Sequence, residues 1–157
     1  MSVDSVRSFL AAHAPDIAIV ELENSTATVE LAAKAHGVPS GRIAKTLAVR
    51  VGDRNLLIVT RGDARLSNAK IKSAFGGKAR MLGDQEVVAV TGHAVGGICP
   101  FGLATPLPVF CDVLLKSFDE VIPAAGSPRS GLRIAPGRMA ELVRAEWVDV
   151  CQEIIQQ

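Results

Sequence analysis

The chain has 157 residues, 48% of them hydrophobic and 21% charged, with 17 Lys and Arg against 16 Asp and Glu. That is length for one folded domain, 1–157, with apolar surface enough to offset the entropy of ordering, so a disordered chain and a polybasic nucleic-acid coat are both excluded. Three cysteines, Cys99, Cys111 and Cys151, form no CxxC pair and are odd in number, which argues against a disulfide framework or thiolate zinc site and for a reducing, cytoplasmic setting.

In chain order, MSVDSVRSFL carries an acid early and lacks the apolar stretch of a signal peptide. Ser2 or Ser5 is a candidate cap for a first helix running to about His13, closed by Pro15. Residues 17–22 read as a strand. Thr28 reads as the cap of an alanine-rich helix stopped by Gly37. Residues 47–51 and 56–60 flank Gly52-Asp53 and predict a hairpin. Ser67 caps a third helix that ends at Gly76-Gly77, and Asp84 is the expected cap of a fourth that ends at Gly92. Residues 87–111 hold no Asp, Glu, Lys or Arg, a run of 25 that could span a membrane by length alone. Its four glycines and three prolines break any helix, so it is expected to be a buried, loop-forming segment with no membrane role. Strands follow at 109–112, 121–125 and 132–135, then a helix from Pro136 through Val143 and a short strand at 147–150. Strands and helices interleave, so the predicted class is α/β of the α+β type, a mixed, mainly antiparallel sheet with helices packed around it.

The near-zero net charge hides an asymmetry. Residues 42–80 hold ten basic side chains against two acids, a net of +8. One basic face on an acidic body suits a polyanion met on one side, such as a structured RNA, although a solvated helix and hairpin surface accounts for it equally. Arg61, Arg65, Lys70 and Lys72 are its candidate RNA-binding residues.

Two segments could carry chemistry. In IAKTLAV, strand alternation groups Lys45 with Ile43, Leu47, Val49 and Val51 and turns Thr46 to the opposite face. Lys45 is then either a lysine whose stem lies along apolar surface with its head in water, or one at a pocket mouth, where reduced solvation strengthens its pull on a phosphate or oxyanion. In TGHAVGGICPFGL, the glycines let backbone N–H groups approach a ligand, or simply make a tight turn. Cys99, His93 and Asp112 could form a nucleophile, base and orienting acid, and Cys99 could equally be a small buried hydrophobe. His13, His36 and His93 show no metal-binding spacing. There is no Tyr, and the six Phe and Trp residues sit mostly in apolar contexts, which disfavours a generic single-strand binder.

The succession STATVELAAKAHGV, IAKTLAV, TGHAVGGICPFGL, PVFCDVLL and PAAGSPRSGLRIAP resembles the YbaK/prolyl-tRNA synthetase-associated editing domain family, from about Glu21 to Met139. The resemblance implies a curved mixed β-sheet with helices around it and hydrolysis of tRNA carrying the wrong, usually small, amino acid, most often tRNA for proline. It places the functional lysine at Lys45 and a glycine-rich loop at Gly96, Gly97 and Pro100. The expected catalytic set is Lys45 with the loop residues Gly97, Ile98 and Cys99, whose N–H groups would hold the ester carbonyl. Thr26, Thr28, His93, Gly96, Pro100, Phe101, Asp112 and Gly126 are the expected substrate-binding set. No metal or cofactor is expected. The partners implied are aminoacyl-tRNA and a prolyl-tRNA synthetase. Two alternatives stay open: a non-catalytic tRNA- or synthetase-associated module, and a small-ester hydrolase that depends on Cys99 with His93.

Overall fold

The structure, a computed structural model, describes residues 2–154. Its elements are α1 (Ser2–His13), β1 (Val20–Glu21), α2 (Val29–His36), β2 (Ile43–Val51), β3 (Arg54–Arg61), α3 (Asn68–Phe75), β4 (Ala79–Met81), α4 (Asp84–Thr91), β5 (Val109–Asp112), β6 (Ile122–Pro123), β7 (Ser130–Gly131), α5 (Pro136–Val143) and β8 (Glu146–Val148), with 3-10 turns at Ser40–Arg42 and Val113–Ser117. Among the described residues no helix is long and apolar enough to cross a membrane.

Helix boundaries follow local chemistry. Thr28 caps α2 by accepting from the Leu31 N–H, and Ser67 caps α3 by accepting from Lys70. Gly37, Gly76 and Gly92 end α2, α3 and α4 in the left-handed conformation that a residue without Cβ adopts at no steric cost. Two caps differ from expectation. The cap of α4 is Gly83, and Asp84 is the first helical residue, where its carboxylate complements the helix dipole. Ser5 lies inside α1, and the Ser2 side chain lies outside the described residues.

The main sheet runs β4-β2-β3-β5-β8, with β6 also paired to β2. Its centre is the long antiparallel β2–β3 hairpin, with β4 antiparallel on β2, while β6, β5 and β8 are added in parallel. The small strands depart from the sequence reading. Only Val20–Glu21 and Ile122–Pro123 of the predicted strands at 17–22 and 121–125 are strand, β7 falls at 130–131 rather than 132–135, and β8 ends at Val148. Both faces of the hairpin are covered. Ala44, Ala48, Leu57 and Val59 face one core with Val6, Phe101 and Met139, and Val49, Val51, Leu56 and Ile58 face the other with Ile71 and Phe110.

One feature of the ladder positions the site. The β2 edge away from β3 is shared by two short strands, β6 opposite Ile43 and Ala44 and β4 opposite Val49 to Val51. Among the described residues no strand pairs with positions 45–48 on that edge. A cavity opens in this gap.

Candidate active site

The cavity has a volume of about 160 Å³. The turn before α2 supplies Thr26 and Thr28, the helix supplies Val29, Ala32 and, at its end, His36, and β2 supplies Ile43 to Thr46. The loop after α4 adds Gly96 and Ile98, and the segment of β6 and β7 adds Ile122, Pro123, Ala124 and Ser130.

Lys45 is half-buried, and its Nζ donates to the Ala64 carbonyl at 2.5 Å. Burial pushes its ammonium below the ordinary lysine value. The nearby Cys151 thiol and the Asp63 and Glu30 carboxylates oppose that shift, and Arg65 reinforces it. The result is a poorly hydrated cation at a cavity wall with donor capacity beyond the one bond it makes.

Two hydroxyls point to a polar ligand. Thr26 Oγ1 and Thr46 Oγ1 are buried and have no hydrogen-bond partner among the described residues. Leaving such groups unpaired costs about 1–3 kcal/mol each, so a cavity carrying two of them favours an occupant that bonds to them. Thr28 also lines the cavity, but its hydroxyl is spent on the α2 cap. His36 closes one end, its ring against the Gly131 main chain, where a Cβ would lie 2.9 Å from Nε2. Burial, then the Arg133 guanidinium, holds this imidazole below its usual pKa.

The glycine loop is built differently from expectation. The Gly97 N–H donates to the Ala94 carbonyl at 2.9 Å and is therefore spent on the turn. Its Cα packs on the neighbouring loop, where a Cβ would lie 2.3 Å from the Ser127 nitrogen, and its carbonyl accepts from the Gly126 N–H. Gly97 and Gly126 thus lock two loops together by close backbone approach. Gly96, at φ 89°, and Ile98 are the loop residues that reach the cavity.

Cys99, Pro100, Phe101 and His93 are buried and do not line the cavity. Cys99 Sγ lies 3.6 Å from His93 Nε2, but that nitrogen is 2.6 Å from the Phe101 carbonyl oxygen. A carbonyl only accepts, so Nε2 carries the proton there and cannot take one from the thiol. Burial pushes the Cys99 thiol up to about 12. Asp112 is no part of that pair: it accepts from the Leu114 and Val150 N–H groups and ties β5 to the C-terminal segment. These facts speak against a nucleophilic role for Cys99 and place the His93, Phe101 and Asp112 side chains away from the cavity lining.

Of the basic residues, Arg61 ends β3 and Arg65 sits on the loop after it that receives Lys45. Lys70 and Lys72 lie on α3, with Lys70 paired to Asp149 at 2.9 Å. Arg61 is held bidentately by Asp63, and Arg50 pairs with Glu86, so the basic segment is partly neutralised within the fold. Thr46, His36 and Ser130 are cavity residues absent from the sequence-derived set. Thr46 was discoverable only as the neighbour of Lys45, because alternation assigns the two opposite faces.

The chain is similar to several known proteins. YwhH of Bacillus subtilis, an uncharacterised protein, is 45% identical over 155 residues, covering 98% of this chain and 99% of its own. EbsC of Enterococcus faecalis, named as a candidate Cys-tRNA(Pro)/Cys-tRNA(Cys) deacylase, is 28% identical over 126 residues, covering 78% of this chain and 76% of its own. A crystal structure described as a candidate trans-editing enzyme for prolyl tRNA synthetase superposes with a TM-score of 0.89 at 33% identity, covering 97% of this chain and 98% of that one. The pattern of the aminoacyl-tRNA editing domain matches residues 23–142, and the chain belongs to that family.

Proposed function

We propose that the protein is a trans-acting aminoacyl-tRNA deacylase that hydrolyses the ester of tRNA charged with a small amino acid, with tRNA for proline the first candidate. The observation that carries this reading is the conjunction, in one cavity of about 160 Å³, of a half-buried lysine and two partnerless threonine hydroxyls. The cavity suits a small side chain and works as a steric sieve against larger ones.

The substrate is an activated ester, so a lightly equipped site suffices. Lys45 polarises the carbonyl or anchors the terminal nucleotide, and Ile98, whose N–H is not spent on the Gly97 turn, supplies a backbone donor toward the developing oxyanion. Thr26 and Thr46 orient the amino acid. Water adds to the carbonyl carbon, the tetrahedral intermediate collapses, and the ribose hydroxyl leaves with a proton, releasing free amino acid and intact tRNA. This route calls on no protein nucleophile, metal or cofactor.

The test is release of amino acid from tRNA(Pro) charged with alanine, serine, cysteine or proline, with wild type and Lys45→Ala side by side. We expect release of a small residue, sparing of proline, and a fall of about ten- to a hundred-fold in Lys45→Ala, the size of effect seen when one transition-state contact is removed. Equal rates in the two proteins would sink the role of Lys45. Absence of release from every charged tRNA tried would favour a non-catalytic tRNA-binding module.

A further inference from the structure

Beside the cavity lies a cluster that the ester chemistry leaves unused. Arg42 ends the 3-10 turn directly before β2, and its Cζ lies 5.3 Å from the centroid of the Phe118 ring. The Arg61 Cζ lies 4.9 Å from the same ring. Asp63 neutralises Arg61, with Nε–Oδ1 at 2.7 Å and a second bond at 3.0 Å. Arg42 has no carboxylate partner among the described residues, and its Nε is buried without a hydrogen-bond partner. Gly41 presses its main chain onto the ion pair, where a Cβ would lie 2.9 Å from Arg61 Nε.

Two guanidiniums gathered on one aromatic ring, with Asp63 as the one carboxylate paired to them among the described residues, leave a net positive charge. That arrangement favours an anion with several acceptor oxygens, which a guanidinium fork meets bidentately. The location restricts which anion. Ile43, the next residue after Arg42, lines the cavity, Arg61 pairs across the ladder with Ala44, another wall residue, and Gly62 packs against Val29. At about 3.3 Å per residue, Arg42 lies roughly 10 Å along the strand from Lys45, a span one nucleoside can bridge.

We propose that Arg42 and Arg61, held on Phe118, form a phosphodiester-binding subsite on the cavity rim, which grips the backbone of the substrate's 3′-terminal nucleotides while the ester occupies the cavity. The proposal rests on the deacylase reading and deepens it. Asp63 occupies the Nε–Nη2 fork of Arg61 and fixes that guanidinium in place, and Arg42 supplies the uncompensated charge.

The test compares wild type, Arg42→Gln and Arg42→Lys on an aminoacyl-tRNA and on the matching 3′-O-aminoacyl-adenosine, which lacks an internucleotide phosphate. In Arg42→Gln we expect kcat/KM on the tRNA to fall by at least about ten-fold more than on the adenosine ester. The loss should appear in KM, and the log–log salt dependence should become shallower by about one. Arg42→Lys should recover part of the affinity, since it restores charge without the fork. An equal loss on both substrates, or none on either, would overturn the subsite and leave the cluster as a cation–π staple. If wild type deacylates neither substrate, the deacylase reading fails, and binding of a labelled CCA trinucleotide decides the subsite separately. Weaker binding by Arg42→Gln supports it, and equal or absent binding overturns it.

Discussion

At the scale of single residues, one proton decides what Cys99 can do. His93 Nε2 donates to the Phe101 carbonyl, so the nitrogen nearest the thiol has no free lone pair, and burial raises the thiol to about 12. A nucleophilic cysteine needs the reverse: a lowered pKa, an available base and a path for substrate. Cys99→Ala is therefore expected to keep deacylation within about three-fold of wild type while losing about 1 kcal/mol of stability to the small void. Native protein should also resist thiol alkylation. Initial rates with and without iodoacetamide, alongside a urea titration, check both. A collapse of activity with the fold intact would restore the cysteine route. Lys45 is the opposite case, a cation kept half-buried with its one protein bond made to a neutral carbonyl, so its charge is not cancelled where it sits.

At the scale of elements, the fold is held by short pieces that depend on their neighbours. Asp112 is the clearest of these ties. Its wholly buried carboxylate accepts from Leu114, starting the 3-10 turn at Val113–Ser117, and from Val150, 38 residues away. Asp112→Ala is expected to cost about 2–3 kcal/mol, since it leaves one buried and one partly buried N–H unpaired, and to lower the thermal midpoint. Thermal unfolding followed by circular dichroism measures this, and a change under 1 kcal/mol, within the roughly ±0.5 typical of surface sites plus error, would contradict it. The same dependence on neighbours explains what was legible in the sequence. Caps such as Thr28 and Ser67, the Gly52 turn and the start of α5 at Pro136 are local signals, and they predicted their elements. The two-residue strand β7 has no such signal, because its pairing is imposed by β1, and β6 is shorter than the strand predicted at 121–125, because β2 pairs with two of its residues. The site divides along the same line. Lys45, Thr26, Gly96 and Ile98 sit in recognisable segments and all reach the cavity. Thr46 lines it at a gap between β4 and β6, and His36 from the end of α2 against Gly131, both consequences of tertiary packing that strand alternation does not encode.

At the scale of the whole molecule, burial sets limits on working pH from both sides. His93 is wholly buried and His36 half-buried, and in both desolvation is the leading cause that lowers the pKa, Arg133 adding to it at His36 and the Phe101 bond opposing it at His93. Between each folded value and the unfolded value near 6.5, the unfolded chain binds a proton that the native chain refuses. Stability contributed by the two neutral imidazoles is thus fully present above about pH 6.5 and falls as the pH drops through that window, with a slope of at most about 1.4 kcal/mol per pH unit for each group. Urea midpoints measured at about pH 7.5 and about pH 5 should show the decline, and His93→Gln, which keeps a donor for the Phe101 carbonyl but does not titrate, should show less of it. An unchanged decline in that variant would locate the acid sensitivity elsewhere. On the alkaline side the linkage to stability has the same sign. Lys45 also has a lowered pKa, so its loss of charge at high pH relieves a desolvation cost and does not weaken the fold, but it removes the cation that the proposed chemistry uses. Activity is therefore expected to fall on the alkaline side at a lower pH than an exposed lysine would dictate, while stability holds. A pH–rate profile that declines together with the unfolding midpoint would show that the lysine's titration is not what limits the reaction.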